Sequence, residues 1–270
     1  MGPGSRQVKH RETAKKRATV PAMDRIDIRQ RFDRAADSFD SADFVHAATR
    51  DGLFERLAPM TLDAKTIVDL GSATGASAAR LGKTYRRALV SPVDLSLAMV
   101  GRAARRSSWF SRLPAVQADA AQLPFADHCI DLVFSNLLLP WVSDHERVFA
   151  EIARVLAPGG LFLFSTLGPD SLAGLRHEAF ADMHDVGDEL VRQGLLDPVL
   201  DVDRLRITYD EPAALRRDLV AIGAGDCLPE YPESLVIDLE LVYGHCWGSG
   251  RSISPGEVRI DPSRIGRRRV

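Results

Sequence analysis

The sequence predicts an α/β fold, a doubly wound and mostly parallel sheet with helices on both faces. Three observations predict it. From Lys65 onward, short β-rich runs alternate with segments long enough to hold a helix. One run, "IDLVFSNLLL" at 130–139, is largely apolar, as strands covered on both faces are. The strand at Thr66–Leu70 also breaks at Gly71 into a small-residue turn, "GSATG", that feeds a helix. Strand, helix and strand repeated through right-handed crossovers give such a sheet.

The elements follow in order. Arg25–Phe39 and Phe44–Leu57 have helical apolar spacing, with Asp43 placed to cap the second helix. Strands are expected at Thr66–Leu70, Ala88–Val93, Ala115–Ala118, Ile130–Phe134 and Leu161–Ser165. Between them, Ser96–Arg106 and Glu146–Leu156 read as helices, the second stopped by Pro158-Gly159-Gly160. Beyond these, Val186–Gln193 and Pro212–Ile222 read as helices, and Leu200–Tyr209 and Leu235–Tyr243 as strands. The division expected is a scar and basic arm at 1–23, one domain at 24–248 and a basic tail at 249–270. Within the domain, 24–58 and 168–194 form a lid.

Composition narrows the function. The net charge of −2 gives no overall attraction to nucleic acid or membrane, and neither is an expected partner. No stretch reaches the roughly 20 apolar residues of a membrane helix, and the polar, basic start carries no secretory core. Cys129, Cys227 and Cys246 are scattered, which suits reduced thiols and a cytoplasmic location. His177 and His184 lack helical i, i+4 spacing, so no metal site is expected. The basic ends, such as Arg6 to Arg17 against the single acid Glu12, read as solvated tails. An acidic partner, an acyl carrier protein or nucleic acid, is the sharper reading of them.

The ligand is read from the strand ends. A phosphate loop needs Gly-Lys-Ser/Thr, which is absent, and Gly71, Ala73 and Gly75 are spaced G-x-A-x-G where a dinucleotide fingerprint has G-x-G-x-x-G. Asp69 stands before the turn, where a carboxylate meets an ammonium group. Asp94 ends the second strand, the place of an acid that accepts ribose hydroxyls. Asp119 follows the third, within reach of an adenine amino group, and Asn136 follows the fourth. Ammonium, ribose and adenine without phosphates describe S-adenosylmethionine. Asp69 and Asp94 also have a plainer reading as helix caps.

With Asp69–Gly75, "VDLS" at 93–96, "ADAAQLPFAD" at 118–127 and "RVLAPGG" at 154–160, the chain resembles class I S-adenosylmethionine-dependent methyltransferases over roughly 25–245. The resemblance implies a Rossmann-like, seven-stranded sheet whose last strand inserts antiparallel, with a helical N-terminal lid. It implies S-adenosyl-L-methionine as cofactor, held by Asp69, Gly71, Ser72, Ala73, Gly75, Asp94, Leu95, Met99, Asp119, Ala120 and Asn136. "RFDRAADSFD" at 31–40, "FSTLGPDSLAGLR" at 164–176 and "DMHDVGDEL" at 182–190 resemble, more narrowly, the biotin-pathway malonyl-acyl-carrier-protein O-methyltransferases. Those enzymes methylate the free carboxylate of a malonyl thioester. The chain departs from that pattern in Gly71-Ser72-Ala73 for Gly-Cys-Gly, in Phe39 for tyrosine, and in a short "LRHEAFADMHD".

A carboxylate nucleophile is ionised at neutral pH and needs no base, so no catalytic residue is assigned. Phe39, Trp141, Arg176 and His184 are candidates for the acceptor side. Arg176 would clamp a carboxylate or an acidic carrier. His184 is either a base or a turn and capping residue. The acceptor expected is a small or carrier-bound acyl group. The alternatives are a C- or O-methyltransferase of a quinone-type pathway and a non-catalytic assembly protein of this fold.

Overall fold

A computed structural model describes residues 25–106, 114–172, 180–225 and 234–249 of the 270-residue chain. The basic arm and tail, Arg176, His177 and Cys227 lie outside the described residues. Its strands are β1 (Thr66–Leu70), β2 (Leu89–Asp94), β3 (Val116–Gln117), β4 (Ile130–Asn136), β5 (Leu156–Leu167), β6 (Leu196–Thr208) and β7 (Val236–Trp247). Its helices are α1 (Arg25–Ala35), α2 (Phe44–Leu57), α3 (Ala76–Thr84), α4 (Leu97–Arg105), α5 (His145–Val155), α6 (Met183–Arg192) and α7 (Pro212–Ala221). The strands form one seven-stranded sheet in the order β3-β2-β1-β4-β5-β7-β6. β1 to β5 pair in parallel, and β7 inserts antiparallel between β5 and β6, as the resemblance implies. Strand order reverses at β1, between β2 and β4, and that switch point opens a crevice at the strand C-termini.

Period-two alternation builds two cores. Val68, Leu70, Val133, Phe162 and Phe164 point to one face, where they meet Val148, Phe149, Ile152 and Val155 of α5 and Val186 and Leu190 of α6. Ile67, Leu132, Phe134, Leu161 and Leu163 point to the other, against Leu53, Phe54 and Leu57 of α2. The second leading helix is therefore part of the sheet's cover. Its Arg56 guanidinium lies 3.7 Å over the Tyr243 ring and bonds Asp201 at 3.0 and 3.1 Å.

Two motifs prove to be one clamp. Arg154, from "RVLAPGG", donates to the carbonyls of Leu123 (2.9 Å) and Phe125 (2.8 Å) and to Asp127 and Glu151 (both 2.7 Å). Glu151 in turn accepts the Leu123 amide at 2.7 Å. "AQLPFAD" is thereby pinned to α5. Arg154 holds the Glu151 carboxyl below its usual range, against partial burial.

Some boundaries differ from the pattern. Pro158-Gly159-Gly160 does follow a helix end, but β5 starts at Leu156 and carries the triplet inside it, with Gly159 at φ 73° and a shifted register opposite Ile130–Leu132. β6 starts at Leu196 and runs through Pro198, which is tolerated because β6 is the sheet edge. β3 keeps only Val116 and Gln117. No described helix is long and apolar enough to cross a membrane.

Candidate active site

The glycine turn is built by the neighbouring strand. The amides of Gly71 and Ser72 both donate to the Val93 carbonyl, at 2.9 and 3.0 Å, which folds the chain back at the end of β1. Gly71 sits at φ 72°, and a β-carbon there would lie 3.0 Å from the Leu138 side chain. Glycine is the residue such a conformation favours. Ala73 holds φ 45° with a β-carbon, so it stores strain at the cavity wall. Its amide donates to Asp94 Oδ2 at 2.9 Å, while Asp94 Oδ1 accepts the Ser96 amide at 2.9 Å. Ser96 caps α4 through the Met99 amide and donates from its hydroxyl to Asp33 of α1 at 2.6 Å. Asp94 thus joins the turn, β2 and α4.

A cavity of about 290 Å³ lies over this joint, at the C-terminal ends of β1, β2 and β4. Of the residues expected to hold a cofactor, Gly71, Ala73, Asp94, Leu95, Asp119, Ala120 and Asn136 line it. Phe39 and Trp141 line it too. The others go elsewhere. The Asp69 carboxylate is buried and accepts the Ala78 amide at 2.8 Å, turned under the start of α3 as a cap rather than toward a ligand. Ser72 is buried, and Met99 packs with Ala35, Ala36 and Phe39. Gly75, at φ 82°, lies where a β-carbon would come 2.7 Å from Ala103 Cβ, so it serves the packing of the turn on α4. His184 is exposed, bonds Asp182 at 2.7 Å through Nδ1, and lines neither this cavity nor the next. It belongs to the capped start of α6.

The leading helix closes the cavity from above. Arg25, Ile28 and Phe32 of α1 line it, and Phe32 meets Trp141 edge-on with ring centroids 4.9 Å apart. Arg25 pairs with Asp119, whose Oδ1 also accepts the Ala121 amide at 2.9 Å. Val142 and Val148 add an apolar wall near Ala120. These contributions come from segments far from the glycine turn in sequence; Phe32 and Trp141 are legible as aromatics on the ligand side, whereas Arg25, Ile28, Val142 and Val148 carry no signal of their own.

Burial drives the acids upward. Asp94 is pushed up to about 6 by desolvation and by the Asp33 charge, against the Ser96 and Ala73 amides. Asp69 is pushed up to about 7, first by burial and then by the nearby Asp94 charge, against the Ala78 amide. A ligand hydroxyl that donates to Asp94 favours the ionised carboxylate and pulls its pKa down. Cofactor affinity is therefore expected to hold above pH 6 and to fall as pH drops below it. The loss in acid approaches about tenfold for each unit that binding lowers the pKa. Calorimetry at pH 5 and pH 7.5 reads this directly, and equal affinities would contradict it.

The donor set suits S-adenosylmethionine. The Asp94 carboxylate accepts the amides of Ala73, Ser96 and Leu95, and of the roughly four lone-pair directions of a carboxylate this leaves room for a ribose hydroxyl. Asp119 offers an acceptor to an adenine amino group, and Ala120, Val142 and Val148 offer an apolar face to the base. Asn136 is held in place: it donates to the His46 carbonyl at 2.9 Å and accepts the Ser165 hydroxyl at 2.8 Å. Leu137 next to it takes φ 55°, a strained conformation at the end of β4.

A second cavity, of about 130 Å³, adjoins the first. Its walls are almost wholly apolar, with Val45, Leu172, Phe180, Leu215, Ile237 and Leu239 among them. His46, Leu137 and Trp141 line both cavities and form the wall between them. Asp218 and Tyr209 also reach the second cavity, bonded to each other at 3.1 Å.

Comparison with known proteins agrees with this geometry. Residues 68–164 match the family model of a methyltransferase domain. Malonyl-(acyl-carrier protein) O-methyltransferase of Halorhodospira halophila is 37% identical, over 92% of this chain and 97% of that protein. The Methylovorus protein of the same name is 42% identical, over 75% of this chain and 74% of its own length. Among solved structures, the (4+2)-cyclase SpnF superposes with a TM-score of 0.61 at 17% identity, covering 86% of this chain and 99% of that one. A Haemonchus contortus phosphoethanolamine N-methyltransferase 2, solved with S-adenosylhomocysteine, gives 0.56 at 16% identity, over 85% of this chain and 61% of that one. These two likenesses concern the fold.

Proposed function

The chain belongs to the malonyl-(acyl-carrier protein) O-methyltransferase family, and from that premise we propose that it methylates the free carboxylate of a malonyl thioester held on an acyl carrier protein. It is an S-adenosylmethionine-dependent methyltransferase. Its relatives favour neither a quinone-pathway acceptor nor a non-catalytic assembly role.

The observation that carries the acceptor class is the wall between the cavities. Burial, with Arg50 nearby, holds its one imidazole, His46, down to about 4. So weak a base is poorly matched to a phenol or carbon acid at neutral pH. Asp218 is engaged by Tyr209. A nucleophile that arrives already ionised fits such a site, and a carboxylate is one.

S-adenosylmethionine supplies a methyl group on a sulfonium, a leaving group that needs no further activation. Asp94 and Asp119 would hold the ribose and the base, and the Gly71–Ala73 backbone would pass beside the cofactor. Leu137, Trp141 and His46, which line both cavities, would stand where a carboxylate oxygen meets the methyl carbon. The oxygen–carbon bond forms as the carbon–sulfur bond breaks, and no proton changes hands. The protein's contribution is alignment and exclusion of water, for which the apolar second cavity is suited. A carrier protein as partner, a cytoplasmic location and a step in biotin synthesis go with this reading.

Methyl-labelled cofactor tests it. Label should move to malonyl carrier protein as a base-labile ester and leave acetyl carrier protein, which has no free carboxylate, unlabelled. Labelling of both carriers, or of neither, would refute the acceptor.

A further inference from the structure

His46 is the one side chain in the wall between the cavities that can both donate and accept a hydrogen bond. Leu137 can do neither, and the Trp141 indole only donates. The imidazole lies on α2 with its ring centroid 4.9 Å from that of Phe39. Its Nδ1 is buried and has no hydrogen-bond partner among the described residues. Three other histidines among the described residues are paired. His128 Nδ1 meets the Leu156 carbonyl at 3.1 Å, His145 Nε2 meets the Leu139 carbonyl at 3.0 Å, and His184 Nδ1 meets Asp182. A buried polar atom left unpaired is costly, so a ligand group that pairs with it gains by doing so. The backbone beneath it is fixed, because the His46 carbonyl accepts Asn136 Nδ2 at 2.9 Å and Thr49 Oγ1 at 3.2 Å. An imidazole whose Nδ1 is unpaired is thus held by the end of β4, in the wall that the two cavities share.

A carboxylate entering that apolar cavity loses water and must find a donor. Of the other polar side chains there, Tyr209 and Asp218 are occupied with each other, and the Trp141 indole offers a single N–H. We propose that His46 is the acceptor-binding group, its imidazole N–H donating to the malonyl carboxylate as that group faces the methyl. This assignment rests on the carboxylate acceptor proposed above. The ring acts without changing its proton count. One carboxylate oxygen forms the bond to carbon, the sulfur takes the electron pair of the broken carbon–sulfur bond, and the products are a methyl ester and S-adenosylhomocysteine. Because the carboxylate loses its charge in that step, the hydrogen bond is stronger to bound substrate than to the transition state. Its loss therefore acts on KM.

The test compares His46→Leu and His46→Gln in the full chain with malonyl carrier protein. His46→Leu should raise KM about tenfold or more while kcat stays within a few-fold, and His46→Gln, which keeps a donor, should recover most of it. S-adenosylhomocysteine affinity should be unchanged by calorimetry. An unchanged KM in a folded His46→Leu, or a loss confined to kcat, would overturn the assignment, as would failure to bind S-adenosylhomocysteine. A second measurement needs no turnover. Malonyl-pantetheine is titrated into wild type saturated with S-adenosylhomocysteine, with binding followed by calorimetry and the imidazole by 15N NMR. Binding that moves the His46 signal supports the role, and binding that leaves it unmoved overturns it. If malonyl-pantetheine does not bind and wild type leaves malonyl carrier protein unmethylated, the carboxylate acceptor fails, and this use of His46 fails with it.

Discussion

Asp94→Ala should lower S-adenosylmethionine affinity by about two orders of magnitude while leaving the protein folded. Two hydrogen bonds to a charged acceptor are worth about 1.5–3 kcal/mol each, and neighbouring bonds do not add fully. A total near 3 kcal/mol corresponds to roughly a hundredfold in Kd. The substitution also leaves the Ala73 and Ser96 amides without their acceptor, which loosens the strained turn. Asp94→Asn separates the two effects. Its side-chain oxygen can keep one amide, so the fold should be nearly intact, while the lost charge still weakens the grip on the ribose. Calorimetry on variants shown to be folded by circular dichroism is the check. Wild-type affinity in Asp94→Ala would place the ribose elsewhere.

Gly75→Ala should act on folding instead. Its left-handed φ of 82° disfavours any β-carbon, a cost of roughly 1–2 kcal/mol. The new carbon would also lie 2.7 Å from Ala103 Cβ and 2.8 Å from Ala103 Cα. The second of these atoms is helix backbone and cannot simply rotate away, and such overpacking costs typically 1–3 kcal/mol more. A loss of about 2–5 kcal/mol should appear as a lower midpoint in urea with an unchanged slope. An unchanged midpoint would mean that α4 does not pack on the turn as described.

These two residues show what the sequence could and could not reveal. Asp94 and Gly75 were both legible as members of one pattern at the end of a strand, and both were expected at the cofactor. Their roles separate only in space, because the direction of a side chain leaving a tight turn depends on φ and on the neighbouring strand. Asp69 makes the same point: its place before the turn is visible in "VDLGS", but its capping of α3 depends on the Ala78 amide being 2.8 Å away. The sheet itself was readable because Ile67, Val68, Leu132, Val133, Phe162 and Leu163 must be buried on two faces, which writes β-rich runs into the chain. Edges were harder. β6 is largely exposed along one side, so nothing forced an apolar start at Leu196, and Asp197-Pro198 obscured it. His46 is not legible in the sequence for a related reason. A single imidazole on a helix that otherwise covers the sheet carries no periodic signal, and its position becomes informative only once Asn136, 90 residues later, is seen to hold it.

The central claim is that the cofactor's reactive end faces the wall formed by His46, Leu137 and Trp141. A crystal structure of the protein with S-adenosylhomocysteine tests this most directly. The result expected has the ribose hydroxyls on Asp94, the adenine beside Asp119 and Ala120, and the thioether sulfur turned toward Leu137 and the second cavity. A ribose away from Asp94, or a sulfur turned from that wall toward solvent, would contradict it.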